Sequence, residues 1–138
     1  MNKEMTAYLA GLFDGEGSIH MSGRDYKSSV VVTVTNTDIS VCRLFADEWG
    51  GNVGSYRHTS MSAFSKQINR WYRAGQNAKP FLESLLPYLR IKKPIAELAL
   101  KLLELRPGAG HLLSSETISQ RLKLIHAIYN AQQRQHLM

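Results

Sequence analysis

The chain has 138 residues, 43% of them hydrophobic and 20% charged, and carries a formal net charge of +6. That length suits one domain with a buried core, here residues 1–138, and that composition excludes a disordered chain. Cys42 is the only cysteine, which excludes an intrachain disulfide framework or a cysteine zinc site.

No apolar run approaches a bilayer span, and the opening Met-Asn-Lys-Glu-Met lacks the apolar segment of a secretory signal, so an intracellular location is expected. The positive charge is unevenly placed. No Asp or Glu occurs between Glu48 and Glu83, whereas Arg57, Lys66, Arg70, Arg73 and Lys79 all fall there. Such a basic block favours a polyanionic partner.

Thr6 is a candidate N-cap for a first helix in which Tyr8, Leu9, Leu12 and Phe13 form an apolar stripe. Ala7, Gly11 and Gly15 line a second face almost without side-chain bulk. An interior glycine costs a helix about 1 kcal/mol relative to alanine, so two of them call for close approach of another helix backbone. With one such helix per chain, the partner is the same helix of a second copy. Gly15 and Gly17 end the helix and leave Asp14 and Glu16 at its negative pole, where carboxylates are disfavoured. Either both are solvated turn residues, or a hard divalent cation takes a Glu16 oxygen and repairs the placement.

Alternation next predicts a strand over 18–24, with Ser18, His20, Ser22 and Arg24 opposite Ile19 and Met21, and a second over 27–36. In the second, Lys27, Ser29, Val31 and Thr33 oppose Val30, Val32 and Val34. One face packs on helices and the other is wet. Asp38 caps a helix running to about Trp49 with Ile39, Cys42, Leu44, Phe45 and Trp49 as core candidates, and Gly50-Gly51 stops it. A second hairpin spans roughly 52–73 with a polar connection around 58–65. Placing Trp71 inward turns Lys66, Ile68, Arg70 and Tyr72 toward a ligand; a one-residue slip would present Gln67, Asn69 and Arg73 instead.

Helices follow at about 76–87, 94–106 opening on Pro94, and 115–133 after the Pro107–Gly110 break. Their core candidates are Ile95, Leu98, Ala99, Leu102 and Leu105, then Ile118, Leu122, Ile125 and Tyr129. The fold class is α+β, in the order αββαββα with additional C-terminal helices.

Leu9-Ala10-Gly11-Leu12-Phe13-Asp14-Gly15-Glu16-Gly17 resembles the signature nonapeptide of the LAGLIDADG homing endonucleases, with Phe13, Gly15 and Glu16 as conservative departures. Val34-Thr35-Asn36-Thr37-Asp38 is similar to that family's link from second strand to second helix. Leu85 to Lys93 is similar to its segment bearing a basic active-site residue. The resemblance covers about residues 6–106.

It implies a saddle-shaped antiparallel sheet over the DNA major groove, in a homodimer cutting both strands of a long, pseudo-palindromic target. It also implies a Mg²⁺ cofactor, with Mn²⁺ able to substitute. Carried across, Glu16 is the metal ligand with the Gly15 carbonyl beside it, Lys92 serves near the scissile phosphate, and Asn36 lies near the metal waters. Ala7, Gly11, Asp14 and Gly15 then form the dimer contact, with Asp14 in a structural or capping role. Ser18, His20, Ser22, Arg24, Lys27, Ser29, Val31, Thr33, Ser55, Arg57, Lys66, Ile68, Arg70 and Tyr72 face DNA. Rival roles on the same scaffold are an intron-splicing maturase that binds RNA and a regulator that binds DNA without cutting it. The compartment is a bacterial or phage-infected cytoplasm, or an organelle if the gene resides there.

Overall fold

The computed structural model describes residues 1–57, 67–105 and 113–136, with side chains through 133. The polar connection around 58–65, Lys66 and the Pro107–Gly110 break lie outside the described residues. The elements are α1 (Lys3–Glu16), β1 (Gly17–Met21), β2 (Val30–Asn36), α2 (Ile39–Trp49), β3 (Asn52–Tyr56), β4 (Ile68–Ala74), α3 (Lys79–Leu85), α4 (Lys93–Glu104) and α5 (Ser115–His136). Single 3₁₀ turns at Gly75–Ala78 and Leu86–Tyr88 flank α3, which splits the one helix predicted over 76–87.

α1 begins before the predicted Thr6 cap. The Asn2 side chain accepts the Met5 N–H at 2.8 Å, and the Thr6 hydroxyl donates back to the Asn2 carbonyl. Leu9, Ala10 and Phe13 are buried, whereas Tyr8 lies on the outer side and is 55% exposed. The helix ends at Glu16 because Gly17 turns to extended backbone and leads directly into β1. Glycine is needed there for space: a Cβ would stand 2.2 Å from Phe13 Cδ1 and 2.8 Å from the Phe13 carbonyl oxygen.

α2 follows its sequence signals closely. The Asp38 carboxylate accepts from the Ser40 hydroxyl at 2.7 Å and the Ser40 N–H at 2.9 Å, which holds its pKa below the usual value. Gly50 and Gly51 then take φ of +70° and +100°, left-handed values open to glycine. This tight reversal exposes carbonyls to β4, where Trp71 Nε1 donates to Gly50 O at 2.7 Å and Arg73 Nε to Trp49 O at 2.9 Å.

The four strands form one antiparallel sheet in the order β1-β2-β4-β3. Ile19, Val32, Val34 and Trp71 point to the helices and are buried. Phe81 of α3 completes this core. Its ring centroid lies 4.8 Å from Trp49, 4.9 Å from Phe13, 5.0 Å from Trp71 and 6.0 Å from Phe45. Helical periodicity alone did not mark Phe81, since its partners come from α1, α2 and β4. Leu122, assigned to the core from spacing, is 42% exposed, while Ile125 and Ile128 carry that packing.

Phe81→Ala leaves the four aromatic rings without their common neighbour, and equilibrium denaturation should record a loss of about 3–5 kcal/mol.

Candidate active site and nucleic-acid interface

The end of α1 places two acids in opposite roles. Asp14 is half-buried, and its two carboxylate oxygens accept the Arg90 N–H at 2.9 Å and the Lys92 N–H at 3.0 Å. The Lys92 ammonium donates to the Asp14 main-chain carbonyl at 2.8 Å, capping the negative helix end. Asp14 therefore clamps the turn before α4 in its own chain. Each of its carboxylate oxygens thus has a backbone donor within the chain. Glu16, two residues on, is exposed.

Burial lowers the Lys92 pKa from its ordinary value, and the Asp14 charge opposes that shift. Lys92 lines an open cleft of about 520 Å³ together with Gly17, Ser18, Ile19, His20, Ile91, Ile95 and Gln132. The cleft runs along the start of β1, directly after Glu16. Gln132 closes its far side by donating to the Ile19 carbonyl on the edge strand. Gln132 could not be found by motif, because only the packing of α5 brings it there.

Metal fit follows from the donor set. Among the described residues no group of three or more His, Cys, Asp or Glu side chains could hold an ion. One chain thus offers the exposed Glu16 carboxylate and main-chain oxygens such as that of Gly15. Those hard oxygens suit Mg²⁺ or a similar cation only if other oxygen ligands complete its shell.

The outer sheet face agrees with the predicted alternation over most of its width. Cross-strand pairs Ser18↔Thr33, His20↔Val31, Thr33↔Tyr72 and Thr35↔Arg70 put these side chains on one face. Tyr72 and Arg70 are exposed, and Ile68 is partly so, as the Trp71-inward register requires. The face is internally bonded. Ser18 meets Thr33 at 2.8 Å and His20 Nδ1 at 3.3 Å, Asn52 Nδ2 donates to the Tyr72 hydroxyl at 2.9 Å, and the Arg70 guanidinium lies 5.4 Å from the Tyr56 ring centroid. Burial, then the Arg70 charge, lowers the His20 pKa.

Several predicted contacts sit elsewhere. Ser55 pairs with Asn69 and donates to its side-chain oxygen at 2.6 Å, so it shares the helix-side face with Val53 and Trp71. Asn52, Gly54 and Tyr56 occupy the outer face of β3 instead, and inward placement of the apolar Val53 was the signal for it. Strands β1 and β2 are shorter than predicted, so Ser22, Arg24, Lys27 and Ser29 fall in the 22–29 loop. Ser22 and Ser29 bond one another there, through the Ser22 N–H to the Ser29 carbonyl and the Ser29 N–H to the Ser22 hydroxyl. Arg24 leans over the Tyr129 ring of α5 at 5.2 Å, and Lys27 is exposed. Arg57 is exposed just beyond β3, while Arg73 turns inward to the Trp49 carbonyl. Asn36 Oδ1 accepts the Asp38 N–H at 2.8 Å in the turn into α2, which leaves its amide N–H groups for other partners.

Asp14→Asn removes the charge that opposes desolvation of Lys92. Its pKa should fall further below the ordinary lysine value, as followed by NMR titration of the Lys92 side chain.

No family model matches the chain. It is 31% identical over 113 residues to the DNA endonuclease I-CreI of Chlamydomonas reinhardtii, covering 78% of this chain and 68% of that protein. Its fold matches the homing endonuclease I-CvuI in complex with its target in the presence of calcium, with a TM-score of 0.71 and 22% identity over 94% of this chain and 85% of that one. It also matches the archaeal intron-encoded homing endonuclease I-Vdi141I complexed with DNA, with a TM-score of 0.70 and 14% identity over 91% and 82% of the two chains. With the nonapeptide at the end of α1, the αββαββα order and a relative of this identity and coverage, the chain belongs to the LAGLIDADG homing endonuclease family.

Proposed function

We propose that this chain is a single-domain, site-specific double-strand DNA endonuclease that works as a homodimer with Mg²⁺, or Mn²⁺ in its place. One observation carries the cleaving role: α1 delivers an exposed carboxylate, Glu16, while the neighbouring Asp14 holds Lys92 at the same helix end. The outer sheet face supplies Arg70, Tyr72, His20 and Ser18 for the major groove, whereas Thr33 on the same face is buried and bonded to Ser18. Arg57 and Lys27 are positioned to meet phosphates, whose contacts dominate affinity and weaken with salt.

Glu16 and the Gly15 carbonyl would hold the divalent ion, whose chemistry there would be to lower the pKa of a water and to offset negative charge on the phosphate. Lys92 donates a hydrogen bond to the scissile phosphate or its attacking water from a partly desolvated position, where a fixed charge stabilises the transition state more strongly than in bulk solvent. The amide N–H groups of Asn36 serve solvent or phosphate at the sheet end beyond the Gly17↔Val34 pair.

Dimerisation has a separate support. A Cβ built on Gly11 or Gly15 meets nothing within 4 Å, so packing inside the chain does not require either glycine. Both, with Ala7, lie on the exposed side of α1. Each costs helix stability, and a second α1 at close backbone approach accounts for that cost. Two copies also bring two Glu16 carboxylates to one site, as cutting two strands requires.

Persistence of both Glu16 and the Lys92 clamp disfavours a regulator that has lost its chemistry. Selection of cleaved duplexes from a randomised library in Mg²⁺ tests the function: long near-palindromic sites support it, and duplex binding without cutting overturns it. Glu16→Gln should lower the cleavage rate by about 10²–10³-fold while target binding in Ca²⁺ persists. Gly11→Leu should weaken the dimer at least about tenfold by sedimentation, roughly 1.4 kcal/mol.

A further inference from the structure

Arg121 of α5 is 4% exposed, yet its guanidinium ends in the hollow between three elements. Its Nε donates to the Tyr26 carbonyl at 2.7 Å and its Nη2 to the Ser28 carbonyl at 2.8 Å. Its Nη1 donates to the Leu102 and Leu105 carbonyls at 3.1 and 2.7 Å, the last acceptors of α4. These four acceptors are all main-chain oxygens. A planar fork with five N–H donors can serve two peptide segments at once, which the single ammonium of lysine cannot match. Favourable charge at the negative end of α4 offsets part of the cost of burying the cation.

Two of those carbonyls belong to the loop 22–29 between β1 and β2. The same helix holds this loop at a third point, where the Tyr129 hydroxyl donates to the Gly23 carbonyl at 2.9 Å, and Arg24 packs over the Tyr129 ring. Within the loop, Asp25 accepts the Lys27 and Ser28 N–H groups. Beyond these internal bonds and the Ser22–Ser29 pair, Arg121 and Tyr129 of α5 tether the loop to the body of the fold.

We propose that Arg121 is a positioning residue for target selectivity, fixing the 22–29 loop so that its exposed Lys27 and Arg24 meet DNA outside the sheet face. This role rests on the endonuclease reading above. Glu16 precedes the first residue of β1 and the loop follows the last. Five strand residues at about 3.3 Å each separate them by roughly 17 Å, or about five base-pair steps. Arg121 therefore governs the outer base pairs of each half-site and leaves the central ones to the sheet and the active site.

The test compares wild type, Arg121→Lys and Tyr129→Phe on a library varied one base pair at a time, alongside amide hydrogen exchange of the free proteins. Arg121→Lys should exchange at least about tenfold faster over 22–29 and lose at least about tenfold discrimination at outer positions. Discrimination at central positions and the cleavage rate on saturating cognate DNA should stay within about twofold. Tyr129→Phe, which removes one exposed-side tether from a half-buried ring, should give a weaker change at the same positions and guards against an unfolded Arg121 variant. Unchanged exchange over 22–29, or an equal loss at all target positions that tracks lowered thermal stability, would overturn the positioning role. Absence of duplex binding by the wild type would overturn the endonuclease reading and the selectivity role with it.

Discussion

The Asp14 carboxylate joins two parts of the chain that lie 76 and 78 residues apart, through the N–H groups of Arg90 and Lys92. A carboxylate at a helix C-terminus faces the wrong end of the macrodipole. Here two backbone donors and the Lys92 ammonium on the adjoining carbonyl reverse that disadvantage. The same bonds set the start of α4 and join the end of α1 directly to the turn bearing Lys92. Glu16 is then presented to solvent at a defined place beside the basic group, and Gly17 lets the chain leave at once without striking Phe13.

Around that unit the sheet keeps its two faces chemically separate. The aromatic rings of α1, α2, β4 and α3 fill the inner side, with Phe81 in contact with the other four. The left-handed glycines after α2 let Trp71 and Arg73 satisfy polar groups on backbone carbonyls while staying inside. The outer side carries His20, Thr33, Arg70 and Tyr72, and contacts with Ser18, Tyr56 and Asn52 order them before any partner arrives. Pre-ordered polar groups lose less conformational freedom on binding, which favours selective recognition.

α5 lies outside the recognised motif and nevertheless reaches both functional regions. Gln132 meets the β1 edge at the cleft containing Lys92, and Arg121 and Tyr129 shape the loop at the opposite end of the same strand. An unpaired strand edge is thereby covered. Among the described residues no helix is long and apolar enough to cross a membrane, and α5 has its place on the sheet edge and α4 instead.

The order of elements, the Asp38 cap and the glycine-bounded end of α1 were legible in the sequence, because each depends on local periodicity or on glycine and capping chemistry, whereas the inward register of Trp71 was one of two that alternation allowed. The sequence also marked Lys92 through its resemblance to a family segment. It took the folded chain to show that Asp14 binds the 90–92 turn, that Ser55 faces Asn69, that Phe81 centres the core and that Arg121 holds a loop some 95 residues away in sequence. Each of those depends on long-range packing and on acceptors in the main chain, whose positions leave no trace in side-chain pattern. Side-chain periodicity encodes which face is apolar; only the folded chain shows which distant carbonyl or N–H group completes a polar contact.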